Sequence, residues 1–288
     1  MYQPTPTPMR LAGTLGYDRP VSIHDLIQPL IEPLRSARRV VVLTGAGVSA
    51  ESGIPTFRDE MEGLWAKYDP SQLATPQAFK NDPATVTRWY DERRQRCASC
   101  APNPAHIALV KIQNSIESHN EHREIDGHEP CSFTLLTQNV DRLHQRAGSR
   151  NVIELHGSLH VWRCTATDQE FEPGPEPFLQ FPRHSPFEPA AILRPGVVWF
   201  GEQLPEPALA AAHDAIKACD LFISIGTSAV VQPAASFVHI AAKSGAVTAE
   251  INRDPTAISR WVNWSVMAKA SEALLALADE AFEIEPPI

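Results

Sequence analysis

The chain has 288 residues, 43% of them hydrophobic and 20% charged, with 25 Lys and Arg against 34 Asp and Glu for a formal net charge of −9. That apolar content excludes a disordered chain and 14 glycines exclude a collagen-like one, so one large or two smaller globular domains are expected, with no need of disulfide staples. The acidic balance excludes a non-specific nucleic-acid binder, whose affinity rests on cations set against phosphates, and five cysteines in no regular spacing suit a reducing, intracellular compartment.

Residues 1–20 carry Pro4, Pro6 and Pro8 and no apolar core for a secretory signal; they read as a flexible tail, with a mitochondrial transit peptide left open. From Ser22 to Ser36, Ile23, Leu26, Ile27, Leu30 and Ile31 recur with helical period. Short β-branched and aliphatic runs follow at Val40–Thr44, Ser132–Thr137, Val152–Leu155, Leu221–Ile225 and Ala246–Ile251, closed by Gly, Asn, His or Thr. Strands alternating with helical stretches predict an α/β fold with a parallel sheet covered by helices, whose ligands sit at the carboxyl edge.

Two stretches break this rhythm. Residues 56–130 are polar and helical through Val86–Cys97 and Pro104–Ile116, then His-rich, and residues 158–196 are irregular with prolines from Pro173 to Pro195. Both are assigned to a smaller domain inserted over the ligand edge, leaving 21–55, 131–157 and 197–288 to the sheet domain. Between Asp220 and Lys243 no charged residue occurs over a length that would cross a bilayer. Gly226-Thr227-Ser228, Gln232-Pro233 and His239 instead predict a strand, a polar turn and a helix. Pro233–Lys243 and Ser271–Glu280 are read as helices.

The first strand runs into Gly45-Ala46-Gly47-Val48-Ser49, where glycines let backbone approach a pyrophosphate. Plain packing explains such a turn equally well. The dehydrogenase fingerprint wants a third glycine three residues on and a strand-end acid about twenty residues later. Here the next glycine is Gly53 and a loop follows, which disfavours hydride transfer.

The full string Gly45–Asp59, GAGVSAESGIPTFRD, closely resembles the sirtuins, the NAD-dependent protein-lysine deacylases. The resemblance recurs at Thr137-Gln138-Asn139-Val140-Asp141, Leu155-His156-Gly157-Ser158, Arg194 to Glu202, Gly226-Thr227-Ser228 and Glu250-Ile251-Asn252, spanning about Val40 to Leu274. It implies a Rossmann-like parallel sheet with helices on both faces, plus a smaller inserted domain made of a helical module and a degenerate zinc-ribbon-like module. It also implies NAD consumed as co-substrate and acyl-lysine proteins or peptides as partners, with neither nucleic acid nor membrane.

Site roles follow the same resemblance, position by position. Gly45, Ala46, Gly47, Ser49 and Ala50 would hold the phosphates with Gly226, Thr227 and Ser228, and Pro55, Thr56, Phe57 and Arg58 form the loop over nicotinamide. Gln138 would meet ribose hydroxyls, Asn139 and Asp141 orient the nicotinamide and its ribose, Asn252, Arg253 and Asp254 border the adenosine ribose, and Ala270 the adenine. In the family mechanism the acyl-lysine oxygen displaces nicotinamide, and His156 then deprotonates a ribose hydroxyl as general base, yielding free lysine and O-acyl-ADP-ribose. Val197, Val198, Trp199, Phe200, Gly201 and Glu202 resemble the segment that pairs with the substrate peptide as an added strand.

Tyr90 and Arg93 are three residues apart and share a helix face. The spacing matches the Tyr-x-x-Arg of class III sirtuins, which favour succinyl, malonyl and glutaryl lysine. A guanidinium holds a distal carboxylate bidentately and a phenol adds a hydrogen bond. The competing reading puts Arg93 in a solvated run with Asp91, Glu92, Arg94 and Arg96, leaving a plain deacetylase. Pro70 stands where the class has a small Ala beside the acyl pocket.

Most sirtuins hold a structural zinc with two cysteine pairs. Only Cys164 stands in that region, with Thr167 where its partner belongs, so no metal ligand set is assigned. Prolines that restrict the unfolded chain and a cluster of Phe171, Phe178, Phe181 and Phe187 are expected to hold the module instead. Cys97-x-x-Cys100 lies on another helix and reads as two ordinary thiols. The missing cysteines raise one further alternative, a degenerate sirtuin acting as a binding module.

Overall fold

Ser22 opens the first helix, Ile23–Ser36, as a capping box: its hydroxyl accepts from the Asp25 amide, and the Asp25 carboxylate accepts from the Ser22 amide. Ile27, Leu30, Ile31 and Leu34 fall on one face and are buried. The computed structural model describes residues 21–55, 73–118 and 129–282. Its strands in chain order are β1 (Arg39–Thr44), β2 (Ser132–Thr137), β3 (Val152–Glu154), β4 (Gly157–Cys164), β5 (Glu170–Phe171), β6 (Leu193–Val197), β7 (Leu221–Ile225), β8 (Val247–Asn252) and β9 (Trp264–Met267).

Six of them form one sheet in the order β3-β2-β1-β7-β8-β9, with every neighbouring pair parallel. Alternate residues of β1 point to opposite faces. Val40 and Val42 enter a core with the helices Ile23–Ser36, Pro104–Glu117 and Ala270–Phe282. Val41 and Leu43 enter a second core with Glu206–Ala218 and Phe237–Lys243. Each Leu or Ile so buried contributes about 1.5–3 kcal/mol, which makes these two layers the rigid base of the molecule. Strand β1 pairs with β2 on one side and β7 on the other, so the chain leaves it in opposite directions. Thr44 lies beside both Thr137 and Ile225. That divergence opens a crevice at the carboxyl ends of the strands.

The structure redraws several expectations. Pro104–Glu117, assigned above to the smaller domain, packs into the first sheet core through Ala105, Ala108, Leu109, Ile112 and Ile116. Its apolar stripe runs the helix length and finds its partner in the C-terminal helix. Strands β4 and β6 occupy a region read as irregular. Pro195 and Gly196 hide β6, yet β6 is an edge strand, where a missing N–H is tolerated. Leu221–Ile225 is a strand as expected, and among the described residues no helix is long and apolar enough to cross a membrane.

The second sheet, β5-β4-β6, is antiparallel and packs with the helices Pro76–Asn81 and Pro83–Ser99 around Trp89, Leu159, Trp162, Phe178, Leu193 and Trp199. Trp162, not the phenylalanines, is the centre of this core: it is fully buried, edge-on to Phe178 at 4.8 Å. Phe171 and Phe181 are partly buried, whereas Phe187 is 40% exposed and outside the cluster.

The charged run on the helix Pro83–Ser99 is not solvated as a block. Asp91 and Arg94 are both 2% exposed. Arg94 donates twice to Asp91 Oδ1, at 2.9 and 2.6 Å, and to the carbonyls of Gly174 and Glu176. Asp91 Oδ2 accepts the Phe178 amide. A buried ion pair persists when its polar atoms find partners, and this one ties the proline-rich segment to the helix.

Candidate functional site

The crevice is built first from backbone. A Cβ on Gly45 would meet Gly226 O and the Thr227 backbone at 2.8 Å, and one on Gly47 would meet Gly226 O at 2.7 Å. Gly226 adopts φ +61, which favours glycine. The turns after β1 and β7 therefore touch main chain to main chain, joined by Gly47 N donating to Gly226 O at 2.8 Å. Gln138 Nε2 donates to Thr227 Oγ1 and Asn252 Nδ2 to Thr227 O, so two more strand tips close on the same turn. The amides of Ala46 and Ser228 have no acceptor among the described residues. A phosphate-bearing ligand fits this donor-lined, side-chain-free cradle. Arg253 and Asp254 are exposed at the rim and Ala270 is buried.

Behind the cradle lies a chain of buried polar groups. Asn139 Nδ2 donates to Gly45 O and to Ser49 Oγ, Ser49 Oγ donates to Asp141 Oδ2 at 2.7 Å, and Asp141 Oδ1 accepts the Leu143 amide. Asn139 keeps its side-chain oxygen without a donor among the described residues. Ala50 and Pro55 are half-buried beyond Ser49. Thr56, Phe57, Arg58 and Pro70 lie outside the described residues.

Two histidines that single-residue reasoning treats as filler support this layer. His144 Nε2 bonds Thr44 Oγ1 at 2.9 Å, Thr44 Oγ1 donates to Thr137 Oγ1, and Thr137 Oγ1 accepts the Asn139 amide. His106 packs 4.7 Å from His144 between ring centroids and caps Asn103, whose Nδ2 holds Val48 O. The signal in the sequence was the Asn103-x-x-His106 spacing of a capping box.

Burial pushes both imidazoles below their usual pKa; the Asp141 charge opposes this at His106, and His106 reinforces it at His144. Both stay neutral in the fold while unfolded histidines charge below about pH 6.5. The unfolded state then binds more protons, so this contribution is present above pH 6.5 and is lost as pH falls. Urea unfolding is expected to show a loss of about 2 kcal/mol per buried histidine between pH 7 and pH 5. His144→Gln should reduce the slope by up to one proton; an unchanged slope would contradict the assignment.

His156 sits at the end of β3, half-buried, with Nδ1 3.1 Å from Gln138 O. A carbonyl only accepts, so Nδ1 carries the proton and Nε2 is left as the free basic nitrogen. Burial lowers its pKa from the ordinary histidine value, and the bond to Gln138 partly offsets this.

The His156 carbonyl accepts the Val198 amide, which fixes the segment Val197–Glu202 beside it. Trp199 N donates to Glu202 Oε2, Phe200 N to Ala74 O and Glu202 N to Trp199 O. These amides are spent inside the chain. Arg194 holds both oxygens of Glu202, at 2.7 and 2.9 Å. Val197 and Trp199 point inward, while Phe200 is 46% exposed.

On the facing helix Tyr90 is 5% exposed and its hydroxyl accepts from Trp199 Nε1. Arg93 is half-buried, its guanidinium 4.8 Å from the Trp89 ring centroid. Cys164 is buried at the end of β4, where the hydroxyls of Ser185 and Thr167 bring its thiol pKa down to about 7. Among the described residues no three His, Cys, Asp or Glu gather as a metal site. Cys97 is buried in the small core and Cys100 is half-buried; neither forms a disulfide.

Comparison with known proteins bears on what this crevice does. The profile of the Sir2 family matches residues 45–233. NAD-dependent protein deacylase 1 of Pseudomonas aeruginosa is 44% identical over 262 residues, covering 89% of this chain and 99% of that protein. An NAD-dependent protein deacylase of Thermus thermophilus is 46% identical over 246 residues, 85% of this chain and 91% of its own. Among solved structures, a Sir2 homologue in complex with NAD superposes with a TM-score of 0.78 at 43% identity, covering 88% of this chain and 93% of that one. Sir2 bound to an acetylated peptide superposes with a TM-score of 0.70 at 28% identity, covering 88% and 98%.

Proposed function

Since the chain belongs to the Sir2 family and is an NAD-dependent protein deacylase, we propose that it acts best on lysines whose acyl group ends in a carboxylate: succinyl, malonyl and glutaryl lysine. The observation that carries this reading is the face of the helix Pro83–Ser99. Tyr90 is buried against Trp199, and Arg93 stands one turn on, shielded by Trp89. A partly desolvated guanidinium next to a neutral phenol binds a carboxylate by charge-assisted hydrogen bonds, whereas an acetyl methyl offers neither group a charge or an acceptor. Asp91 and Arg94, the neighbours that would have made the run a solvated one, are spent on each other in the core.

NAD, when bound, supplies the ribosyl carbon that accepts the acyl oxygen and gives up nicotinamide. The amides of Ala46 and Ser228, with Gly45, Gly47, Ser49, Ala50, Gly226 and Thr227, would border its phosphates. Asn252, Arg253, Asp254 and Ala270 would face its adenosine half. Gln138, Asn139 and Asp141 would orient the reacting half, with Pro55 and the segment Thr56, Phe57 and Arg58 as its cover. His156 would take a ribose hydroxyl proton at Nε2, and Val197–Glu202 would carry the peptide so that its lysine enters beside that nitrogen.

A panel of acetyl, malonyl, succinyl and glutaryl peptides with NAD, followed by released nicotinamide, tests this. Succinyl kcat/KM is expected to exceed acetyl by about tenfold or more. Acetyl equal to or above succinyl would make the enzyme a plain deacetylase.

The module around Cys164 is expected to stand without metal, held by Trp162, Phe178 and the Asp91–Arg94 pair. Purified untagged protein should contain far less than one zinc per chain and keep its Tm in EDTA. Near-stoichiometric zinc, or unfolding by the chelator, would refute this.

A further inference from the structure

Trp199 lies in the segment that would carry the peptide, yet its side chain turns inward and is 3% exposed. Its indole Nε1 donates to the Tyr90 hydroxyl at 3.0 Å, joining residues 109 positions apart. The Arg194 guanidinium lies 3.7 Å from the indole centroid, and Arg194 is itself held by both oxygens of Glu202, which also accepts the Trp199 amide. Phe79 closes another side, with ring centroids 5.2 Å apart. The indole is thus locked by stacking, by its own backbone and by its one donor. A cation resting on the ring draws electron density from it and strengthens the N–H as a donor.

The phenol has one hydrogen and two lone pairs to place. Trp199 takes a lone pair. The phenol hydrogen has no acceptor among the described residues, and burial keeps the group protonated by pushing its pKa well above the usual tyrosine value, against the pull of Arg93. Accepting one hydrogen bond also makes a hydroxyl a better donor of the next.

We propose that Trp199 is a positioning residue for acyl selectivity: by occupying the lone pair of Tyr90 it aims the phenol hydrogen at the acyl terminus that Arg93 attracts. This rests on the acidic-acyl reading of Tyr90 and Arg93. It ties the peptide-carrying segment to the acyl pocket through this hydrogen bond, added to the contact of the two rings at 6.4 Å, so selectivity depends on a residue that touches the acyl terminus only through another.

The test is a double-mutant cycle on the full chain, reading the ratio of succinyl to acetyl kcat/KM by nicotinamide release. Trp199→Phe keeps a ring under Arg194 and removes the donor. Its ratio is expected to fall about fivefold to tenfold, the effect of one oriented hydrogen bond. Tyr90→Phe should lower the ratio at least as much, and adding Trp199→Phe to it should change the ratio no further. Equal losses on both substrates in Trp199→Phe, or the same drop of the ratio in the Tyr90→Phe background, would overturn the proposal. A wild-type enzyme with no succinyl preference would overturn the acidic-acyl reading and this one together. A preference left unchanged by Trp199→Phe would overturn this one alone.

Should Trp199→Phe fail to fold, the indole ¹⁵N–¹H resonance of Trp199 decides. It is expected to move on binding of a succinyl peptide in the wild type and not in Tyr90→Phe. A resonance indifferent to Tyr90→Phe would count against the proposal.

Discussion

His156→Ala is expected to lower kcat for every acyl peptide by about 10³-fold while leaving NAD and peptide affinity within about threefold. The size follows from geometry. Nδ1 is committed to the Gln138 carbonyl, so the ring has one basic nitrogen and one orientation. Its backbone oxygen is tied to Val198, so the residue proposed as the base would also set the distance to the segment proposed to carry the peptide. The alanine variant keeps the backbone tie and loses the base, and the loss should therefore fall on kcat rather than on binding. Because burial lowers the His156 pKa from 6.5, the base is already free at neutral pH. The acid limb of kcat/KM is accordingly expected below pH 6.5. Steady-state formation of free lysine undiminished in His156→Ala would remove this residue from the chemistry.

Arg93→Met should cost succinyl kcat/KM about 10²-fold, with acetyl kcat/KM within about threefold. Methionine keeps an unbranched stem against Trp89 and discards the charge, so packing and recognition are separated. A carboxylate entering a partly desolvated wall without its guanidinium bears the cost of lost hydration with no return. Acetyl lysine brings no charge and should not register the change. Equal losses on the two substrates would place the effect in the fold of the small module, and the acidic-acyl reading would fail with it.

Much of the base was legible because its physics is local. Val40–Thr44 and Leu221–Ile225 are buried at every position and Ser132–Thr137 at Phe133 and from Leu135 on, and a strand between two helical layers must be a largely apolar run ending where polar groups can gather. What remained hidden depends on partners far along the chain. The Asp91–Arg94 pair reads as surface charge until the carbonyls of Gly174 and Glu176 and the Phe178 amide are brought to it. Strand β6 is disguised by Pro195 and Gly196, and its place at a sheet edge cannot be seen in the run itself. In the sequence His106 stands among apolar residues and His144 in a polar run from Asp141 to Arg146; only folding sets them against each other beneath Asn139. The candidate site residues stand out as a pattern of blocks, one of which takes in Thr137, whereas the support from Thr44 and Asn103 lies outside those blocks.

The most direct test of the whole account is a crystal structure of the chain with NAD and a succinyl-lysine peptide, trapped by a non-hydrolysable acyl analogue. The dinucleotide is expected across the tips of β1 and β7, its glycosidic carbon beside His156 Nε2, with the succinyl carboxylate on the Arg93 guanidinium and Tyr90 hydroxyl. A dinucleotide bound elsewhere, or a carboxylate left in solvent with Arg93 turned from it, would contradict it.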